Sequence, residues 1–412
     1  MMKIINAKLR EQSGLYTLLL KEGKIAQITP QEGSVMSDDA CIDAKEKLVI
    51  PPFVEPHIHL DAALTAGVPQ WNQSGTLFEG IDLWSKRKKL VTPEDTKVRA
   101  LETIRMLAGY GVQHVRSHVD VTEPNLSTLK AMLEVRESCR DLVDLQIVAF
   151  PQEGIESFPH GRELMQEAVA MGVDVVGGIP HFENTREQGV SSIKFLMDLA
   201  EKNDCLVDVH CDETDDPHSR FLEVLAEETR IRGMGDKVTA SHTTAMGSYD
   251  NAYCYKLFKL LKEANLNFIS CPTESIHLQG RFDSYPRRRG LTRIDQIDEA
   301  GLNICFAQDS IHDPWYPLGN GNILRMLDYA LHIGHLLGYK TLQNCLRFIT
   351  DNGAKTLNLQ DNYGIAVGRP ANLLILSESD DVSMLRQYGH VTHSIRQGKI
   401  IMQRSVSEVK FF

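Results

Sequence analysis

Between residues 48 and 360, eight mostly apolar, β-branched runs alternate with amphipathic stretches, and this alternation limits the fold more than any other feature. The runs fall at 49–59, 112–119, 144–150, 173–179, 206–211, 237–241, 267–270 and 303–307. Helical-period patterns separate them at 94–108, 126–136, 161–171, 190–202, 219–231, 253–264 and 294–300. Eight such strand–helix alternations predict an α/β chain built as a (β/α)8, TIM-like barrel rather than an open sheet. A length of 412 residues accommodates that barrel together with attachments.

The two ends of the chain read differently. Short strand-like segments occur at 3–7, 16–20 and 24–28, with turns near Gly14 and Gly23, and similar ones recur at 371–376, 391–396 and 400–402. We expect residues 1–48 and 361–412 to form one small β-sandwich domain, and 49–360 to form the catalytic barrel.

A barrel of this kind places its chemistry at the carboxyl ends of its strands. The first run ends in His57-Ile58-His59, whose i and i+2 imidazoles leave a strand on one face. With 15 histidines in the chain, about half an H-x-H is expected by chance, so the pair alone carries little. The later strand ends raise its weight. The fifth run leads into His210-Cys211-Asp212-Glu213, the sixth ends at His242, and the eighth at Asp309. Three imidazoles and a carboxylate suit a divalent ion such as Zn2+ or Fe2+, with a position left for water. His114 and His118 are spaced less well for sharing one ion, and His332 and His335 read as packing residues on a helix.

Charge and cysteine usage narrow the partners. The chain carries 44 basic and 55 acidic residues, net −11, which argues against nucleic acid or an anionic membrane and favours a neutral or cationic small molecule. Eight cysteines without C-x-x-C pairs read as reduced thiols of a cytoplasmic protein. No run of 18 apolar residues occurs, so neither a membrane span nor a signal peptide is expected. Phosphate loops, dinucleotide fingerprints, G-x-S-x-G elbows and the H-x-E with P-C-x-x-C deaminase signature are missing from the sequence.

Several longer strings carry a resemblance. They include Phe53-Val54-Glu55-Pro56-His57-Ile58-His59-Leu60-Asp61, Trp71-Asn72-Gln73-Ser74-Gly75-Thr76-Leu77, and Phe150-Pro151-Gln152-Glu153-Gly154. Others are Ser241-His242-Thr243-Thr244-Ala245-Met246, Ile276-His277-Leu278-Gln279-Gly280-Arg281-Phe282 and Asp313-Pro314-Trp315-Tyr316-Pro317-Leu318-Gly319. Across nearly its whole length the chain resembles the amidohydrolase superfamily, and within it the bacterial cytosine deaminases. The resemblance implies one divalent metal (zinc or iron, manganese being a third option) on His57, His59, His210 and Asp309, with His242 nearby. It implies a substrate pocket formed by Gln152, the backbone carbonyl of Leu77, Phe150, Ser310 and Trp315, and a homo-oligomeric assembly. Catalysis would fall to Glu213, His242 and Asp309. By that resemblance, water would attack C4 of a free nucleobase, aligned by His242 and Asp309, while Glu213 would protonate N3. Two-metal relatives carry a lysine at the end of the fourth strand; Gly177-Gly178-Ile179-Pro180-His181-Phe182 has none, so a single metal is expected.

Two segments depart from the family. Cytosine deaminases follow the strand-eight aspartate with a second aspartate; here Ser310 follows Asp309. Pro272-Thr273-Glu274-Ser275 also replaces apolar text. A smaller, uncharged residue leaves room for a 5-methyl group and removes the cost of burying it against a carboxylate, so 5-methylcytosine is an expected substrate beside or instead of cytosine. Other cyclic amidines (isocytosine, isoguanine, creatinine) and ring-opening hydrolysis of a cyclic amide are the alternatives.

Overall fold

In the computed structural model, which describes residues 1–36 and 41–405, two eight-stranded sheets form. Residues 37–40 and 406–412, which the expected terminal domain included, lie outside the described residues. One sheet is all parallel, with its strands in sequential order: Phe53–Ile58, Val112–Asp120, Asp144–Phe150, Val175–Gly178, Leu206–Cys211, Val238–His242, Asn267–Ser270 and Asn303–Phe306. Helices that include Pro93–Gly109, Ser127–Ser138, Arg186–Asn203 and Asn251–Ala264 cover it. Their apolar faces and the strands share one continuous core.

The barrel closes at its carboxyl end through the residues that matter most. The Asp309 N–H donates to the His57 carbonyl at 2.9 Å, and the His59 N–H to the Asp309 carbonyl at 3.1 Å. The seam between first and eighth strands is therefore laced by backbone atoms of three expected metal ligands.

The first barrel strand is shorter than expected. The run 49–59 breaks at Pro51-Pro52, because neither proline has an N–H for a ladder. Leu48–Ile50 instead joins the second sheet, pairing with Met2–Leu9 and Leu373–Leu376. That sheet is mostly antiparallel and draws on both ends of the chain. Leu18, Leu20 and Ile25 from one end of its strand order share a core with Leu373, Ile375 and Ile395 from the other, so the sheet curls over itself as a sandwich does. Several helices lie outside the stretches read from periodicity, among them Leu77–Arg87 after the first barrel strand, Pro272–Leu278 directly after the seventh and Ile323–Ile333 after the eighth.

Candidate active site

Four side chains from three strand ends converge at the barrel mouth. The Nε2 atoms of His57 and His59 each lie 3.2 Å from His210 Nε2. Asp309 Oδ1 stands 3.4 Å from His57 Nε2 and 3.3 Å from His59 Nε2. All four residues are buried. Two mouth residues have left-handed backbones, Asp309 with φ +65° and His242 with φ +66°, conformations that cost a non-glycine residue energy and concentrate at functional sites.

The donor set fits a divalent ion. Metal–ligand bonds of about 2.0–2.1 Å in a tetrahedron give ligand–ligand edges of about 3.3 Å, the separation found here. Burial, followed by the neighbouring His118, lowers the His57 imidazole to about 4, and burial holds His210 well below the ordinary range. Neutral imidazoles with free lone pairs are what an ion requires. Asp309 is held well below the usual carboxylate range, the facing histidines outweighing its burial. His59 is the exception. Burial opposes its charge, yet the Asp309 hydrogen bond and charge raise it, and that shared proton is the one an ion would displace.

A buried chain orients His57. Its Nδ1 lies 3.0 Å from Ser241 Oγ, which donates to Asp208 Oδ1 at 2.6 Å; Asp208 is in turn paired with Arg116 at 2.9 Å. The His118 ring packs against His57 with centroids 3.9 Å apart and planes tilted by 32°, and Phe150 stacks on His210 at 4.1 Å. Glu55, fully buried, accepts from the N–H groups of His57 and Gln308, tying the first strand to the eighth.

Around this centre stand the other expected residues. Glu213, buried just past the fifth strand, has Oε1 3.7 Å from His242 Nδ1, and His242 Nδ1 is 3.7 Å from Asp309 Oδ2. Burial first, then the Asp309 charge, raises the Glu213 carboxyl well above its ordinary value. Burial lowers His242 to about 3, and neither of its ring nitrogens has a hydrogen-bond partner. Gln152 is buried in the loop after the third strand. Leu77 opens the helix Leu77–Arg87, whose N-terminus is capped by the Thr76 hydroxyl accepting from the Glu79 N–H. It packs in a small cluster with Trp84 and Trp315. Trp315 is 6.0 Å from the His59 ring and is held by Asp313, which accepts from its N–H and that of Tyr316. Gly80 is required beneath it: a Cβ there would lie 2.3 Å from the indole. Ser310 is buried, with Oγ 3.3 Å from Glu274 Oε1.

His114 lies apart from this group, paired with Asp144 at 3.1 Å. His332 and His335 are solvent-exposed, so the packing reading of that helix is corrected: Leu331 and Leu336 face inward instead. Sequence reasoning missed the supporting roles of Ser241, Asp208 and Glu55, polar residues inside apolar strands, where interruption of the run was the available signal, and it weighed His118 only as a ligand, not as a ring packed on His57. It also missed Glu183, which accepts from the N–H groups of Ile155, Glu156 and Ser157 and so fixes the loop that carries Gln152.

The sequence model of the amidohydrolase family matches residues 40–402. The crystal structure of 5-methylcytosine deaminase from Klebsiella pneumoniae liganded with 5-fluorocytosine is similar at 66% identity and a TM-score of 0.99, covering 100% of this chain and 99% of that one. The phosphonocytosine-liganded structure of that enzyme is similar at 66% identity and a TM-score of 0.98, covering 100% of both chains. N-isopropylammelide isopropyl amidohydrolase of Pseudomonas sp. (strain ADP) is 30% identical over 412 residues, 98% of this chain and 97% of that protein. Among the described residues no helix is long and apolar enough to cross a membrane.

Proposed function

The chain belongs to the amidohydrolase family, and from that membership we propose that it is a metal-dependent hydrolytic deaminase of free pyrimidine bases. It converts 5-methylcytosine, and cytosine beside it, to thymine and uracil with release of ammonia. The observation that carries this reading is full-length similarity, at 66% identity, to a 5-methylcytosine deaminase. The buried Ser310 beside Asp309 supports the methylated base in particular. Residues 51–360 form the catalytic unit in this reading, and the described residues of 1–50 and 361–405 the flanking β unit, because Leu48–Ile50 pairs in the second sheet.

His57, His59, His210 and Asp309 would hold the ion. Bound there, a divalent metal supplies Lewis acidity and lowers the pKa of water towards neutrality. Zinc, ferrous iron and manganese all suit this donor set, and availability decides among them. The remaining steps belong to the protein. Asp309, ionised, and His242, neutral, orient the attacking water on C4. Glu213, kept protonated by burial beside Asp309, donates to ring N3 as C4 becomes tetrahedral, which breaks conjugation at the lowest cost. It then accepts the attacking water's protons in turn, passing one to the 4-amino nitrogen, whose bond to C4 breaks to release ammonia, and keeping the other. Gln152 offers both an amide donor and a carbonyl acceptor to the O2 edge, and the Leu77 carbonyl accepts from a ring N–H. Phe150 and Trp315 wall the pocket and exclude water.

A cytoplasmic location is part of this proposal, supported by seven buried free thiols from Cys139 to Cys345. So is assembly into a homo-oligomer, which rests on the family resemblance. Ammonia release measured on cytosine, 5-methylcytosine, isocytosine, isoguanine and creatinine tests the reading. Turnover of both pyrimidines is expected, with no ring opening. Silence on both pyrimidines with activity on another amidine would overturn it.

A further inference from the structure

Glu274 stands at the same mouth, outside the set of His57, His59, His210 and Asp309. It lies in the helix Pro272–Leu278 immediately after the seventh strand and is only 3% exposed. A carboxylate oxygen of Glu274 lies within 4.8 Å of the ligand-type atoms of Glu213, His242 and Asp309. Its Oε1 accepts from the Ser310 hydroxyl at 3.3 Å, and its Oε2 has no partner. The Ser310 hydroxyl also approaches Asp313, and it has one proton to give. A buried acceptor short of donors is costly, so this side chain is built to meet a donor that the protein does not supply.

An aminopyrimidine seated for attack beside Asp309 offers such a donor. Its N3 is unprotonated and its N1–H lies across the ring, so the donor nearest the reacting carbon is the exocyclic amino group on C4. Resting on the deaminase reading above, we propose that Glu274 is a substrate-contacting specificity residue whose Oε2 accepts a hydrogen bond from that amino group. In the product the same position holds a carbonyl oxygen. Acceptor then faces acceptor, and the carboxylate that welcomed the amine disfavours the 4-oxo base. Glu274 thus discriminates substrate from product as well as holding the Ser310 hydroxyl.

The test compares metal-loaded wild type and Glu274→Gln by ammonia release from 5-methylcytosine and competitive inhibition by thymine. A neutral amide weakens the contact to the amine and supplies a donor to the carbonyl. KM for 5-methylcytosine should rise about tenfold while Ki for thymine falls, a crossing that loss of packing alone would not produce. Constants that move together, or do not move, overturn the proposal. If the variant fails to fold, the wild-type ratio decides. Thymine should inhibit with a Ki about tenfold or more above the substrate KM, and equal or tighter product binding would refute the contact. A wild type inactive on both pyrimidines sinks the deaminase reading itself; an active wild type without the crossing sinks Glu274 alone.

Discussion

Removing one hydroxyl, in Ser241→Ala, should loosen the metal without touching a ligand. Ser241 Oγ sits between His57 Nδ1, 3.0 Å away, and Asp208 Oδ1, at 2.6 Å. The direction of the chain is set by chemistry. Asp208 is paired with Arg116 and accepts from the serine, so the serine accepts from His57 Nδ1–H, and the Nε2 lone pair is left facing the ion. Alanine removes both bonds and strands two buried groups. A neutral buried hydrogen bond contributes about 1 kcal/mol and one to a carboxylate about 1.5–3 kcal/mol, so folding stability should fall by about 2.5–4 kcal/mol. The imidazole also loses its fixed tautomer, and metal affinity should fall about 10–100-fold. Competition against a chelator of known affinity measures the second effect, and thermal unfolding of the metal-free protein the first. A metal Kd within about twofold of wild type would refute the orienting role.

Other changes separate the remaining roles. Glu213→Gln should keep metal and fold, Glu213 standing outside the four proposed ligands, yet lose about 10²–10⁴-fold in kcat; metal analysis beside turnover checks it. Ser310→Asp places a second carboxylate against the 5-position and should cost kcat/KM on 5-methylcytosine roughly 10–200-fold relative to cytosine; equal loss on both bases would refute the steric argument. Gly80→Ala drives a methyl into the Trp315 ring and should raise KM for both bases, read by steady-state kinetics, with metal content unchanged. Because Asp309 raises His59, binding of the ion must expel that proton. Apparent metal affinity should therefore strengthen as pH rises through the His59 range, and isothermal titration in buffers of different ionisation enthalpy should register the released proton.

The barrel was legible because eight short apolar, β-branched runs alternate with amphipathic stretches, and the convergence of His57, His59, His210 and Asp309 because all four stand at strand ends. The break at Pro51-Pro52 was equally readable from the two missing N–H groups, yet the apolar text on either side concealed it. The supports of the site were not legible. Asp208, Ser241, Glu55 and His118 gain meaning from partners on other strands, such as Arg116 for Asp208, 92 residues away, and Gln308 for Glu55, 253 residues away. The left-handed turns at His242 and Asp309 leave no mark either, because no glycine announces them. Glu274 was visible as a departure from the family's text, but its neighbour Ser310 lies 36 residues further along the chain.

The most direct measurement loads crystals of the metal-free protein with zinc or ferrous iron and collects anomalous diffraction, with ammonia release assayed before and after chelation. One anomalous peak bonded to His57, His59, His210 and Asp309, and turnover that vanishes with the metal and returns with it, is the expected result. A peak elsewhere, or ammonia release that survives complete removal of the metal, would contradict it.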